Sequence, residues 1–202
     1  MNLSPANTAT SWGEINTVYN ITLKNEADYS PWGNFTSPWG VNITCLVDGY
    51  FVTIPADWSE EVIVVKDVPE WIRAYCYYST AYYYRQAYPA GEADDLTFCL
   101  APQLTDVGQI VFYVYDYVGE FPVGSVFTAL KQYDGTYYIT DESMIDVSRI
   151  AALYLTNGMT YYIRINGSQA SFVYGTFTPT VSPVTVHLTT SSESRLLNFT
   201  FV

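Results

Sequence analysis

Apolar and polar residues alternate along most of this chain. Ile15–Leu23, Ile-Asn-Thr-Val-Tyr-Asn-Ile-Thr-Leu, follows an imperfect period of two, the repeat of a strand with one buried face. Val41–Val47 and Tyr50–Ile54 flank Asp48-Gly49, and Ser125–Tyr133 and Thr136–Thr140 flank Asp134-Gly135. Such dipeptides supply the two positive φ angles of a type I′ turn, so each pair of runs predicts a hairpin. The strongest signal lies in Ala151–Ile165, where Asn157-Gly158 divides two apolar runs. It predicts the hairpin around which the rest is organised. Further strands are expected at Val62–Val65, Trp71–Tyr78, Ala81–Tyr88, Leu96–Leu100, Gln109–Tyr117, Pro183–Thr189 and Arg195–Val202, and at Ala170–Phe177 after a turn at Asn166-Gly167. Pro55–Glu61 fits one helical turn. In Asp141–Ile150, Ser143 and Asp146 have the spacing of a helix cap, but the β setting favours a loop. Turn signals recur about every 8–12 residues, as in sandwiches. The chain is therefore read as all-β, with two antiparallel β-sandwich domains. They are residues 1–105, with an extended N-terminal segment, and residues 106–202, divided within Ala101–Asp106.

Composition sharpens this reading. Of 202 residues, 49% are hydrophobic and only 14% charged, well under the usual ~25%. Twenty tyrosines and ten phenylalanines suit half-buried pleated surfaces. Tyr75, Tyr77, Tyr78, Tyr82, Tyr83, Tyr84 and Tyr88 crowd one region. They are too many for one core face, so some hydroxyls must reach water, a partner or a glycan. The net charge is −12, which argues against nucleic acid, whose phosphates demand Lys and Arg. The same charge disfavours an anionic membrane surface. No run is apolar enough to insert into a membrane, and the start, Met-Asn-Leu-Ser-Pro-Ala-Asn, lacks the basic and apolar regions of a signal peptide. Two readings of that start stay open: a mature chain numbered afresh, or synthesis without a Sec signal.

The stretch from 109 to 177 carries a further pattern. Asp146-Val147-Ser148 occupies a loop, Ala151-Ala152-Leu153-Tyr154-Leu155 a strand, and Gly158-Met159-Thr160-Tyr161-Tyr162-Ile163 a Gly-x-x-Tyr step into the next. This resembles the transthyretin-like sandwich repeats, the carboxypeptidase regulatory-like and CNA-B-like domains. The resemblance covers about a third of the chain and implies Ig-like or transthyretin-like sandwiches. One position departs: Arg149 stands where the family usually has Gly. A Lys–Asn isopeptide bond, found in some members, is not carried over, because no Lys, Asn and acidic trio is evident. The first half resembles archaeal virus and surface-filament proteins in composition, being rich in Tyr, Thr and Asn.

Candidate chemistry is sparse. Sequons stand at Asn20, Asn34, Asn42, Asn166 and Asn198, with a weaker one at Asn2 before Ser4-Pro5; the first five are the glycosylation candidates. Asn34 and Asn166 lie in turns. If Asn20, Asn42 and Asn198 are modified, period-two alternation requires their side chains to point outward. Cys45, Cys76 and Cys99 lack zinc or redox spacing. Buried thiols and a Cys76–Cys99 disulfide across neighbouring strands both remain open. Ser30-Pro31-Trp32-Gly33 is echoed at Ser37-Pro38-Trp39-Gly40, each copy a tight turn presenting a Trp. Trp32, Trp39, Tyr82 and Tyr84 are candidates for an aromatic contact or ligand platform, and the alternative for the Trp pair is a cover over one end of a sandwich. His187 is the sole histidine, and no nucleophile-elbow, zincin or P-loop motif occurs. Glu60-Glu61, and Glu92 with Asp94-Asp95, are acidic pairs with solvation as their default. No cofactor, metal or enzymatic activity is expected.

These features converge on a non-enzymatic structural subunit of a virion surface or extracellular filament. It would be glycosylated and self-associating through β-strand and aromatic contacts, with like or neighbouring subunits and glycans as partners. The strand Ile15–Leu23 either pairs within its own domain or is donated to a neighbour. The alternative function is a carbohydrate-binding or adhesive surface module.

Overall fold

The computed structural model describes residues 17–35, 38–89, 91, 93–103, 106–116, 123–167, 171–180, 182–188 and 200–201. The chain is all-β and divides into two compact units, Met1–Leu100 and Ala101–Val202. Each unit contains two sheets.

The first unit holds β1 (Thr17–Asn25), β2 (Trp39–Val47), β3 (Tyr50–Ala56), β4 (Glu60–Val65), β5 (Trp71–Tyr78), β6 (Ala81–Ala87) and β7 (Ala93–Leu100). Its sheets run β4-β1-β7 and β3-β2-β5-β6. Alternation explains the core. Tyr19, Ile21 and Leu23 of β1 are buried, as are Val41, Ile43 and Cys45 of β2 and Ile72, Ala74 and Cys76 of β5, whereas the residues between them face outward.

The second unit holds β8 (Val107–Asp116), β9 (Val126–Tyr133), β10 (Thr136–Met144), β11 (Ile150–Thr156), β12 (Tyr161–Asn166), β13 (Ser171–Phe177), β14 (Val184–Leu188) and β15 (Thr200–Phe201). Its sheets run β11-β8-β14-β15 and β10-β9-β12-β13. Phe112, Phe127, Leu153, Tyr161, Ile163 and Val186 lie in one buried cluster.

The two units share one topology. The first strand of each pairs antiparallel with the fourth and parallel with the seventh. The remaining four run third, second, fifth, sixth across the other sheet. First, fourth, fifth and sixth strands start at 17, 60, 71 and 81 in one unit and at 107, 150, 161 and 171 in the other, a constant step of 90. Parallel pairs at β1–β7 and β8–β14 qualify the antiparallel expectation; the other pairings are antiparallel.

Asp48-Gly49 and Asp134-Gly135 close the hairpins expected of them, with φ of 50° and 77°, and 47° and 82°. Asn157-Gly158 does not. β11 pairs with β8, and β12 with β9 and β13, so this turn carries the chain from one sheet to the other. Only Gly158 has positive φ, 75°, and Met159 N–H donates to the Thr156 carbonyl at 3.3 Å. That is the pattern of a type II turn, which does not match the twist of a two-residue hairpin. Pro55–Glu61 is not helical: β3 runs to Ala56, with Pro55 tolerated on an edge strand, and a bend follows. β1 is the central strand of its own sheet, so it pairs within its unit. The expected strand Arg195–Val202 lies mostly outside the described residues, with Thr200–Phe201 paired to β14.

Candidate functional site

The outward face of the β3-β2-β5-β6 sheet is aromatic. On β5, Ile72, Ala74 and Cys76 turn inward, and Trp71, Arg73, Tyr75 and Tyr77 are therefore carried outward. Register assembles them into rows. Leu46 lies between Phe51 and Trp71, Asn42 between Pro55 and Tyr75, and Tyr84 follows Tyr75. Phe51 and Trp71 rings stand 5.9 Å apart across Leu46. Tyr75 lies 5.3 Å from Tyr84 and 6.3 Å from Tyr82. Phe51 is 70% exposed and Tyr82 63%.

Arg73 fixes the centre of this face. Its guanidinium sits 4.0 Å from the Trp71 ring and 4.4 Å from that of Tyr84, a cation–π sandwich. Its Nε donates to Gln86 Oε1 at 2.5 Å and Nη1 to the Tyr75 hydroxyl at 3.2 Å. Thr44, opposite Arg73, meets the Thr53 hydroxyl at 2.9 Å. Tyr77 lies directly over Gly40, where a side chain would collide with its ring. The rings are thus held in place before any partner arrives, which lowers the ordering cost of binding. Planar apolar rings rimmed by hydroxyls can take a protein surface or a sugar face.

Of the residues singled out by sequence, Tyr82 and Tyr84 belong to this face. Trp32 does not: it is 3% exposed and packs edge-on against Trp39, with ring centres 6.1 Å apart. Trp39 in turn contacts Tyr78 at 5.0 Å. Trp32 is packing, with no free face for a ligand, and Trp39 is half-buried beside it. Phe51, Trp71 and Arg73 are members of the face that sequence reasoning missed. A signal for Trp71 and Arg73 exists, because Trp71–Tyr77 alternates aromatic or charged residues with small or aliphatic ones.

The sequons divide by exposure. Asn20 and Asn34 are exposed, Asn42 and Asn166 are half-buried, and Asn198 lies outside the described residues. Asn42 sits within the aromatic face, and Thr44 of the same sequon is buried. Cys45, Cys76 and Cys99 are buried free thiols. Of the two readings left open by the sequence, the structure has the buried thiols and no Cys76–Cys99 bridge; β5 and β7 are not neighbouring strands but lie in different sheets. Burial pushes the thiols of Cys45 and Cys76 up to about 11, which leaves them protonated and unreactive at neutral pH. Burial also raises the Tyr83 phenol well above its ordinary value.

Inside the same unit lies an ion pair. Arg85 Nη2 meets Glu26 Oε2 at 2.8 Å, with both side chains fully buried. Arg85 Nε donates to the Cys99 carbonyl at 3.1 Å. The pair ties the β1 end, β6 and β7 together. With both side chains fully buried, the pair belongs to the core of the unit. Asp95 is used by Asn20, whose amide donates to it at 2.7 Å. Among the described residues no cluster of three or more potential ligands for a metal ion occurs. No described helix is long and apolar enough to cross a membrane.

No known family pattern matches the chain, and no curated protein matches it. Solved structures do. The Bacillus anthracis TIE protein is similar over 85% of this chain and 33% of its own, at 10% identity and a TM-score of 0.30. A leucine-rich repeat protein from Bacteroides thetaiotaomicron is similar over 87% and 27%, at 10% identity and a TM-score of 0.33. GBS52, the minor pilin of Streptococcus agalactiae, is similar over 89% and 100%, at 11% identity and a TM-score of 0.26. The chain thus spans about a third or less of the first two. Superpositions this loose carry no functional argument, and the fold rests on the strand order given above.

Proposed function

We propose that this chain is a non-enzymatic structural subunit of a virion surface or extracellular filament, glycosylated and self-associating through β-strand and aromatic contacts. The observation that carries the reading is the ordered, exposed aromatic face of the β3-β2-β5-β6 sheet. An apolar face of this kind, rimmed by polar groups, marks an interaction surface. Low charge and exposed sequons at Asn20 and Asn34 support placement outside the cell. The like subunit is the first partner to test, by sedimentation of the full chain across concentration. Self-association is expected, and Phe51→Ser with Tyr82→Ser should weaken it ~700-fold if each ring contributes about 2 kcal/mol and the two add. A chain that stays monomeric at every concentration overturns the reading.

One observation favours a second reading, a carbohydrate-binding or adhesive module. The rings of Tyr82 and Tyr84 flank that of Tyr75, and Tyr84 also meets Arg73, a stacking platform for sugars. Glycan-array binding lost in Tyr82→Ser, in a monomeric chain, would select it.

A further inference from the structure

A second aromatic feature of the first unit lies outside this face. Trp58 stands in the bend between β3 and β4 and is 70% exposed. The bend is not loose. Glu61 Oε1 accepts the N–H groups of Asp57 and Trp58 at 2.9 and 3.1 Å, and Leu23 N–H donates to the Ser59 carbonyl at 2.7 Å. An exposed indole on a pinned bend flanks a groove of about 660 Å³ lined by Asn20, Ile21, Thr22, Glu60, Glu61 and Val62. The groove therefore contains the acceptor and the hydroxyl residue of one sequon, Asn20-Ile21-Thr22.

We propose that this groove seats a glycan carried on Asn20, with its first sugar rings stacked on Trp58. The proposal rests on the glycoprotein reading above and adds its place and its partner. Both sequon residues stand outward on β1, opposite Val62 and Glu60 of β4. The attaching step joins Asn20 Nδ2 to the anomeric carbon of a lipid-linked glycosyl diphosphate, supplied with its transferase by the host. The C–O bond to the diphosphate breaks, the diphosphate leaves with the bonding electrons, and the amide gives up one proton. The other amide hydrogen remains on Nδ2 and is available to Asp95 Oδ1. A sugar fixed at Asn20 begins inside the groove and reaches Trp58 as a tethered ligand, at high effective concentration. Its apolar C–H face suits the indole, and its hydroxyls find Glu60 and Thr22 at the rim. A free sugar would lack the tether, and a protein partner would have to displace the glycan.

The test uses the full chain secreted from a host with an oligosaccharyl transferase, alongside the Asn20→Gln variant. Peptide mass spectrometry reads occupancy, and hydroxyl-radical footprinting reads oxidation of each tryptophan. Asn20 is expected to be modified and Trp58 to oxidise about three-fold more slowly than in Asn20→Gln, because one face of the ring is covered; Trp71 should not change. Modified Asn20 with an unchanged Trp58 rate overturns the seat and leaves the glycoprotein reading standing. Bare Asn20 beside modified Asn34 overturns this site alone, and no modified sequon at all overturns both. Equal protection in Asn20→Gln shows another occupant and overturns the proposal.

Discussion

The two units build the same strand order from different interiors. The first buries Arg85 against Glu26 and holds all three thiols, while its outer four-stranded face is covered with tyrosine and tryptophan. The second closes on an apolar cluster and satisfies its buried carboxylates locally. Asp141 Oδ2 accepts the Tyr154 N–H at 2.7 Å, and Glu142 Oε1 accepts the Thr128 hydroxyl at 3.0 Å. Topology thus tolerates either solution. What the difference teaches is where each unit is vulnerable: one to loss of a charge, the other to loss of a single hydroxyl.

The largest expected effect tests the first half of that contrast. Arg85→Met leaves Glu26 buried without its cation and should destabilise the first unit by about 3–5 kcal/mol. Denaturant unfolding of the full chain should then show an early transition, with the second unit unmoved. Adding Glu26→Leu should recover most of the loss, since an apolar pair of similar volume replaces a desolvated one. Equal damage from the single and double variants would show that the pair does not govern this core.

Next comes Tyr161, fully buried at the start of β12, whose hydroxyl accepts the Thr156 N–H at 3.0 Å. Tyr161→Phe leaves that buried donor unmet and should cost about 1–3 kcal/mol. The transition of the second unit should move and that of the first should not. Unchanged unfolding would mean that the turn at Asn157-Gly158 holds without this bond.

The smallest effect has the opposite sign. Arg149 has a φ of 63°, a left-handed conformation that costs a non-glycine residue about 1–2 kcal/mol. It stands where the sequence resemblance leads one to expect Gly, and its own backbone has the left-handed conformation that Gly adopts without cost. The Asp146 carboxylate sustains it by accepting the N–H groups of Ser148 and Ile150 at 2.8 and 2.9 Å. Arg149→Gly should raise the stability of the second unit by up to about 1 kcal/mol, read from the same unfolding curve. A loss of stability would show that the Arg149 side chain contributes more than its backbone strain costs.

Strands are legible in the sequence because their signal is local. Trp71–Tyr78 has the same bounds in sequence and structure, and Asp48-Gly49 and Asp134-Gly135 mark their hairpins. Partner choice is not legible. Thr-Asn-Gly-Met folds tightly in either a hairpin or a crossing between sheets, and the competition among β8, β9 and β11 decides which. The repeat is hidden for a related reason. It is kept in strand spacing and pairing, while the residues that fill the two cores differ. At the aromatic face, Tyr82 and Tyr84 are readable from their aromatic run. Ser-Pro-Trp-Gly misleads in both copies: neither is a tight turn presenting its Trp, since Pro31 bridges to Lys24 with Trp32 buried, and Trp39 and Gly40 begin β2. Trp58 carries no periodic signal, being set by one carboxylate in a bend.

The parallel placement of first and last strands has a mechanical consequence. In the first unit the entering and leaving strands run side by side in one direction, over Val18–Asn25 with Ala93–Leu100. Tension applied to the two ends of this unit therefore slides these strands along each other. The ladder between them bears the load in shear, with all its bonds strained together, where a hairpin pulled at its open end would unzip bond by bond.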